Sequence, residues 1–218
     1  MIVLASQSPR RAELLRNAKI EFEVLPAHVP EEHRAGESAE DYVQRLAKEK
    51  ALEVLKKRPE AVVLGADTTV VVDIATTPLK PTAGLHGSPV GFPFPEKATE
   101  LNEIILEKPK DADDAKRMLH LLSGRPHRVV TGVCLAWNEN GAAKCDVRRE
   151  ETIVRFSELS EQEIADYVAS GEPMDKAGAY GIQGIASRWI EELDGCYFSV
   201  MGLPVPLVYR MLRECKLI

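Results

Sequence analysis

The segment Ser6-Gln7-Ser8-Pro9-Arg10-Arg11 carries side chains suited to binding an anion, and it follows a short apolar run at 2–5. Ser8 and Pro9 are typical of a helix start, where free N–H groups and the helix dipole favour a negative charge. The two arginines add fork-shaped donors that match phosphate oxygens. The alternative is a capped surface helix with two solvated arginines. Because cations in a first turn oppose the helix dipole, we expect an anionic group to compensate them.

Asp67 stands at the end of a buried apolar run, in Gly65-Ala66-Asp67-Thr68-Thr69. Ligands of open α/β sheets bind beyond the carboxyl ends of strands, so this position favours a reacting group. An aspartate there can coordinate a hard divalent cation or accept a proton from water, or it can merely form a turn or cap a helix. Glu31, in a loop at 26–37, is either a second oxygen ligand or an ordinary surface acid.

Lys50 lies in the middle of an apolar helix face, which the residue spacing predicts for the segment 38–57. A lysine on such a face either extends its amine to the protein surface or reaches a buried anion. Lys108, which precedes Pro109 and the predicted helix cap Asp111, is by default a solvated lysine. The apolar face around Lys50 is formed by Val43, Leu46, Ala47, Ala51 and Val54.

A glycine-rich loop at 171–184 contains glycines at three-residue spacing, in Asp175-Lys176-Ala177-Gly178-Ala179-Tyr180-Gly181-Ile182-Gln183-Gly184. We interpret these glycines as positions where the backbone approaches a ligand closely. Their spacing differs from the dinucleotide-binding fingerprint, and the loop does not follow an early strand. Gln183 offers both a donor and an acceptor, which suits the edge of a nucleobase.

Apolar runs, caps and turn residues predict an α/β protein built on one mixed sheet. Ser38, Asp111 and Ser160 are predicted helix N-caps, and Asn138-Glu139-Asn140-Gly141 predicts a hairpin turn between two long strands. Strands are predicted at 2–5, 20–25, 62–66 with 70–73, 103–107, 128–137, 147–156 and 197–201, and helices from Pro9, at 38–57, 111–123 and 160–170, and from Pro204.

Residues 74–97 interrupt this pattern, because their five prolines and three glycines leave no helical or strand period. With the residues that follow, they predict an inserted loop at about 74–103 within a single domain spanning 1–218. The loop is either a surface insertion of no catalytic importance or a lid or partner-docking segment.

The composition is that of an ordinary globular protein, with 218 residues, 44% hydrophobic and 28% charged. A net charge of −6 argues against a duplex-DNA binder, although it leaves room for a local basic pocket. The four cysteines and five histidines show no metal-binding spacing, and a chain of this length has enough core not to need disulfides. The apolar N-terminal run is too short for a signal peptide, so a soluble cytoplasmic protein is expected.

Six segments resemble, in order, the Maf family of nucleoside-triphosphate pyrophosphatases. The resemblance covers nearly the whole chain apart from 74–103. The segments are LASQSPRRAELL at 4–15, ESAEDYVQRLAKEKA at 37–51, LGADTTV at 64–70, EKPKDADDAKRMLHLLSGRPHRVVTGV at 107–133, YVASGEPMDKAGAYGIQG at 167–184 and VMGLP at 200–204.

This resemblance implies a mixed, twisted α/β sheet flanked by helices with a central cleft, similar to the inosine-triphosphate pyrophosphatases. It implies hydrolysis of a nucleoside triphosphate between the α and β phosphates. Asp67 matches the family's proposed proton acceptor. Arg11, Thr68 and Gln183 match its specificity positions, and the glycine-rich loop resembles the branch that takes dTTP and UTP.

The resemblance also assigns the remaining charged residues, and it leaves two functions to be weighed. Glu31 and Asp67 are expected to hold Mg²⁺ or Mn²⁺ against the triphosphate. The family expectation is a homodimer with a nucleotide substrate and neither nucleic acid polymers nor membranes as partners. The alternative is a nucleotide-binding regulator of cell division with little turnover. Ser8 and Arg10 complete the phosphate-binding end, and Arg10, Arg11, Lys50 and Lys108 are expected to neutralise charge on the leaving pyrophosphate.

Overall fold

The computed structural model of the protein describes residues 1–75 and 101–217. In these ranges seven strands form one mixed sheet with helices on both faces, which confirms the predicted α/β class. The strands are β1 (Ile2–Leu4), β2 (Phe22–Val24), β3 (Val62–Ala75), β4 (Leu101–Leu106), β5 (Pro126–Glu139), β6 (Ala142–Phe156) and β7 (Ile190–Asp194). The helices are α1 (Pro9–Asn17), α2 (Ala39–Lys57), α3 (Ala112–Leu122), α4 (Glu161–Ala169), α5 (Tyr197–Val200) and α6 (Val205–Glu214), with 3₁₀ turns at Glu172–Asp175, Ala177–Ala179 and Ile185–Trp189.

The long helices begin where the sequence predicts, because polar side chains satisfy their first free N–H groups. At the start of α2, the hydroxyl of Ser38 accepts a hydrogen bond from the N–H of Asp41 at 3.1 Å, and α3 and α4 have equivalent caps. Helix α1 differs, since Ser8 stands at the cap position but its side chain makes no capping bond. The backbone N–H of Ser8 donates instead to the hydroxyl of Ser6 at 3.1 Å, which tightens the turn after β1.

Strand β3 has two different partners along one edge, and this divides the sheet. Strand β1 runs parallel to its first residues, with Leu4 beside Leu64, and β4 runs antiparallel to its last residues, with Leu106 beside Val70. On this edge residues 65–69 lie between the two partners, while the opposite edge pairs with β5 from Val63 to Val71. The carboxyl ends of β1 and β4 both point toward the gap. The chain leaving each strand is therefore delivered to residues 65–69.

The two faces of the sheet are covered by different helices. Helices α1 and α6 pack on one face of β1, β3 and β5, and α3 and α4 cover the farther part of the same face. Helix α2 packs on the opposite face, where its apolar side meets Val3, Val63 and Ala136. The sheet is thus buried in the middle of three layers, which is the usual arrangement of an α/β protein.

Helix α2 lies close to the sheet because two glycines face it. A Cβ atom at Gly65 would overlap the backbone oxygen of Ala47, and one at Gly132 would overlap that of Val43. Real side chains at these positions would push the helix backbone away. The close approach brings the next turn of α2, which carries Lys50, directly over β3.

The prediction of a strand at 197–201 is wrong, because Tyr197–Val200 form the short helix α5. The aromatic and β-branched side chains of this segment favour a strand. However, the free edge of β6 is already paired with β7, Ile190–Asp194, which was not predicted. The acidic residues of β7 are not typical of a strand, so the sequence did not indicate one there. The strands predicted at 62–66 and 70–73 are continuous in β3, and the other predicted strands are confirmed with shifted ends.

The inserted loop predicted at about 74–103 is described only at its flanks, since residues 76–100 lie outside the described residues. Its flanks are strand residues, because Ala75 and Leu101 are paired neighbours in β3 and β4. The strand predicted at 103–107 is therefore confirmed, and it begins earlier, at Leu101. The six residue pairs of this hairpin fix the exit of β4 at the gap in the sheet.

The cysteines and helices agree with the composition. All four cysteines fall in the described ranges, and all are free thiols, as expected for a chain whose core does not need disulfides. The helices in those ranges include none that is long and apolar enough to cross a membrane.

Replacing Gly65 by alanine tests the close approach of α2. We expect Gly65→Ala to lower the free energy of unfolding by about 1–3 kcal/mol, since the new methyl group meets rigid helix backbone. Urea denaturation measures the change. Gly181→Ala is the matched control, because a Cβ there meets mainly the flexible side-chain carbons of Lys176, at 2.8 Å and 2.9 Å. Equal stability losses in the two variants would contradict this account of α2 packing.

Candidate active site

The gap beside residues 65–69 opens into a cleft of about 730 Å³. Its walls come from the turn after β1, the loop before α2, α2 itself, the residues after β4 and the loop at 172–184. The cleft brings together all nine side chains singled out from the sequence, although they are far apart along the chain. They are Ser8, Arg10, Arg11, Glu31, Lys50, Asp67, Thr68, Lys108 and Gln183.

Lys50 is buried, and its ammonium group holds two carboxylates. Its Nζ lies 2.6 Å from Oδ1 of Asp67 and 2.6 Å from Oε1 of Glu31. The side chains of Lys50 and Asp67 are each 10% exposed, whereas that of Glu31 is 47% exposed. The structure therefore selects the second alternative for a lysine on an apolar helix face, a buried anion. The pairing offsets the cost of removing both charges from water.

The two carboxylates on Lys50 differ in proton affinity. Burial raises the pKa of Asp67, although the charges of Lys50 and Arg11 act in the opposite direction. Burial also raises the pKa of Glu31, but the hydrogen bond to Lys50 and the charges of Lys50 and Lys108 outweigh it and lower the pKa. Asp67 is therefore the more basic of the two. A carboxylate of raised pKa is better suited to accept a proton near neutral pH.

The guanidinium group of Arg11 joins α1 to the floor of the cleft. Its Nε donates to the backbone oxygen of Gly202 at 2.7 Å, and its Nη1 donates to that of Ala66 at 2.8 Å. Further donors reach the hydroxyls of Thr68 and Ser6, each at 3.2 Å. All four acceptors are neutral. The positive charge of Arg11 is thus held in place without a carboxylate partner among them, and it remains available to an anion in the cleft.

Arg10 has the compensating anion that the sequence analysis expects. Its Nη1 lies 3.0 Å from Oδ2 of Asp175, in the glycine-rich loop. The other oxygen of Asp175 lies 2.6 Å from Nζ of Lys176, which also donates to the backbone oxygen of Glu172 at 2.5 Å. Sequence reasoning did not identify Lys176 as a cleft residue. Its only signal is its place at the start of the glycine run.

The glycines of this loop make room for side chains of the protein itself, and Gly181 and Gly184 also line the cleft. A Cβ atom at Gly181 would lie 2.8 Å from Cε of Lys176, and one at Gly184 would overlap the carboxylate of Glu172. Gly178 has a φ of +68° and faces a valine of β3. The loop is therefore wrapped around two of its own charged side chains.

Tyr42 and Glu107 also line the cleft and were missed in the sequence. The phenol of Tyr42 donates a hydrogen bond to the carboxylate of Glu107, and it lies 3.2 Å from the backbone oxygen of Glu31. Burial and the Glu107 carboxylate raise the pKa of Tyr42, so the phenol stays a neutral donor. Tyr42 thus links the loop that carries Glu31 to the segment that carries Lys108. The position of Glu107 directly before Lys108 was the available signal.

Acidic and basic side chains balance in the cleft. Among the described residues that line it are five of each sign, so the formal charge of the lining is zero apart from His28. A triphosphate brings several negative charges. Its binding must therefore be accompanied by the displacement of an acidic side chain, the uptake of a proton or the entry of a cation. The basic residues are Arg10, Arg11, Lys50, Lys108 and Lys176, and the acidic residues are Glu31, Asp67, Glu107, Glu172 and Asp175.

The carboxylates of Glu31 and Asp67 are suited to a cation that arrives with a ligand. The described residues contain no cluster of three or more His, Cys, Asp or Glu side chains that could hold a metal ion. Two carboxylates that converge on one point are nevertheless the usual protein contribution to a Mg²⁺ site that is completed by phosphate oxygens. Lys50 now occupies that point of convergence.

Comparisons with known proteins extend over the whole chain. The profile of a family described as Maf-like protein matches residues 1–215. A dTTP/UTP pyrophosphatase of Koribacter versatilis is 48% identical over 213 residues, which cover 98% of this chain and 93% of the relative. A dTTP/UTP pyrophosphatase of Aquifex aeolicus is 42% identical over 217 residues, covering 100% of this chain and 96% of the relative. The similarity therefore includes every segment that lines the cleft.

Removing the ammonium of Lys50 tests the electrostatic origin of the Asp67 titration. In Lys50→Met the nearest charge that lowers the pKa of Asp67 is lost, so we expect this pKa to move higher still. Carbon-13 NMR of labelled aspartate carboxyls measures the titration without relying on activity. Lys108→Met is the control, because Lys108 acts on Glu31. An unchanged Asp67 titration in Lys50→Met would refute the assignment.

Proposed function

The chain belongs to the Maf-like protein family, and on this basis we propose that it hydrolyses dTTP and UTP to the monophosphate and pyrophosphate. The observation that carries the proposal is Asp67, a buried carboxylate of raised pKa in a cleft that also contains five basic side chains. The relatives described above are named for the same reaction. Such an enzyme serves nucleotide metabolism by removing unwanted triphosphates from the pool, including modified pyrimidine nucleotides.

Asp67 acts as the proton acceptor. A water molecule attacks the α-phosphorus, the bond from this phosphorus to the oxygen bridging the α and β phosphates breaks, and pyrophosphate leaves. The proton of the water passes to the carboxylate of Asp67. Lys50 holds Oδ1 of this carboxylate, so the acceptor is fixed in orientation at the cleft.

The cations of the cleft stabilise the charge that moves onto pyrophosphate. Preorganised donors are most effective where charge develops in a site with little water. Arg11 is preorganised by four hydrogen bonds, and Lys50 by its two carboxylates. The proposed group that neutralises the phosphates is Arg10, Arg11, Lys50 and Lys108, with Ser8 at the helix start.

A divalent cation fits the same site. Mg²⁺ or Mn²⁺ would be held by Glu31 and Asp67 together with oxygens of the triphosphate. Bound there, the ion supplies positive charge to a cleft whose own side chains are balanced. Glu31 is well suited to this role, because its lowered pKa keeps it ionised and its side chain reaches solvent.

Gln183 is the proposed reader of the pyrimidine base. Its side chain lines the cleft from an exposed position, on a different wall from Asp67. An amide can donate to the carbonyl oxygen of uracil or thymine and accept from the neighbouring ring N–H. Arg11 and Thr68, which contact each other at 3.2 Å, are the other proposed specificity residues.

The enzyme is further proposed to be a cytoplasmic homodimer that takes a small nucleotide rather than a nucleic acid polymer. Its net charge of −6 agrees with the last point, since polymer binding needs an extended basic surface. The alternative of a regulator of cell division with little turnover is not favoured. A pure binder has no use for a buried carboxylate of raised pKa, and the relatives are named as pyrophosphatases.

Replacing Asp67 by asparagine tests the reaction. We expect Asp67→Asn to lower turnover of dTTP and UTP by at least ~10²-fold, because the proton acceptor is lost. Pyrophosphate release from a panel of nucleoside triphosphates, with Mg²⁺ and with Mn²⁺, is the measurement. Asp113→Asn on α3 is the matched control, since the Asp113 side chain is 94% exposed. An Asp67→Asn protein that keeps half of normal turnover would remove Asp67 from the mechanism.

Replacing Gln183 by glutamate tests base recognition. A glutamate can still accept from the ring N–H of uracil, but it cannot donate to the carbonyl oxygen. We expect Gln183→Glu to reduce the preference for UTP over CTP by about tenfold or more, because one polar group of the base loses its partner. The ratio of kcat/KM for the two substrates is measured on one preparation, so partial unfolding cancels. An unchanged ratio would place base recognition elsewhere.

A further inference from the structure

Asp175 sits between two cations at the mouth of the cleft. Its two carboxylate oxygens bind different partners, Arg10 from α1 at 3.0 Å and Lys176 from the glycine-rich loop at 2.6 Å. The side chain of Asp175 is 63% exposed, against 30% for Arg10 and 16% for Lys176. The carboxylate is thus the most accessible member of the group, and the two cations are held behind it.

Lys176 is held in place by more than Asp175. Its ammonium group also donates to the backbone oxygen of Glu172 at 2.5 Å. Its aliphatic carbons lie over Gly181, where a Cβ atom would come within 2.8 Å of Cε and 2.9 Å of Cδ. The absence of a side chain at Gly181 therefore provides the space for Lys176. Since these contacts do not involve Asp175, the ammonium would stay at the mouth if the carboxylate turned away.

We propose that Arg10 and Lys176 form a subsite for the terminal phosphates of the substrate and for the pyrophosphate product, and that Asp175 occupies it as an internal counter-ion while the cleft is empty. This inference rests on the proposed function, which supplies the ligand. A diphosphate group carries more negative charge and more acceptor oxygens than a carboxylate, so it competes well for the same two donors. Asp175 then turns to solvent.

The energetics favour such an exchange. An exposed ion pair such as that of Arg10 and Asp175 adds little to stability, so its loss is a small cost. Departure of Asp175 leaves one more basic than acidic side chain in the lining described above, which favours an incoming polyanion. A nucleoside monophosphate has a single phosphate group, so it cannot occupy the subsite and the reacting centre at the same time. The exchange therefore selects for triphosphates over the monophosphate product.

A purely structural role for Asp175 makes the opposite prediction. If its ion pairs serve to tie the glycine-rich loop to α1 in every state, their loss should loosen the loop and weaken ligand binding. If Asp175 is a displaceable counter-ion, its neutralisation should remove a competitor and tighten binding. The sign of the effect of Asp175→Asn thus distinguishes the two roles.

Titration calorimetry with inorganic pyrophosphate at fixed Mg²⁺ provides the test, on the full chain and without turnover. We expect Asp175→Asn to bind pyrophosphate about tenfold more tightly than wild type, and Lys176→Met about tenfold more weakly, a change of one charged contact. Asp166→Asn, an exposed aspartate of α4, is the matched control and should leave the affinity unchanged. Gly181→Ala should weaken binding in the manner of Lys176→Met, because its methyl group displaces the lysine.

Two outcomes overturn the subsite: an Asp175→Asn protein that binds pyrophosphate no more tightly than wild type, and a Lys176→Met protein that binds it equally well. Either result together with normal hydrolysis of dTTP would reject the subsite and leave the proposed function intact. The expected affinity changes in a protein that hydrolyses no triphosphate would support the subsite as a polyphosphate site and reject the proposed function.

Discussion

The close contact between the backbone of α2 and the sheet is the constraint on which the site depends. Gly65 and Gly132 provide it, and Gly132 is the cross-strand neighbour of Asp67. Because the helix is this close, the side chain of Lys50, on the next turn of α2, is long enough to reach Asp67. The same placement sets Tyr42, the residue directly before the Gly132 contact at Val43, against the exit of β4. Dense packing transmits small displacements, so the spacing of helix and sheet also determines the geometry of the buried charges.

The division of β3 between two partner strands explains why distant residues meet. Strand β1 delivers the turn with Arg10 and Arg11 to one side of the gap, and β4 delivers Glu107 and Lys108 to the other. Between them, no strand of the described residues covers the edge of β3 at Asp67. Ligands generally bind at the carboxyl ends of strands, and here the carboxyl ends of both β1 and β4 face the cleft, from opposite directions. The cleft is therefore a property of the strand order.

Caps, periodicity and strand ends are local signals, and they located five of the six α-helices and most strands. Of the nine cleft residues, Glu31 and Lys108 were singled out by the family resemblance rather than by such signals. Sequence reasoning could not decide between the alternatives for Lys50, since the answer depends on the separation of α2 and β3. The role of the glycine run in making room for side chains of the protein was missed for a related reason. Whether the space beside Gly181 belongs to a ligand or to Lys176 depends on how the loop folds back on itself. The short helix α5 was missed because competition for the edge of β6 is not visible in residues 197–201.

Because β3 and β4 pair with each other, the position of Lys108 does not depend on the length of the connection between these two strands. Six consecutive residue pairs, from Ala75 with Leu101 to Val70 with Leu106, fix the register of β4. At about 3.3 Å per residue, this ladder places the ends of the connection roughly 20 Å from the gap. Residues can be gained or lost between positions 75 and 101 without shifting the strand that carries the chain back to the cleft. The length of this connection can therefore change during evolution while the geometry of the cleft is retained.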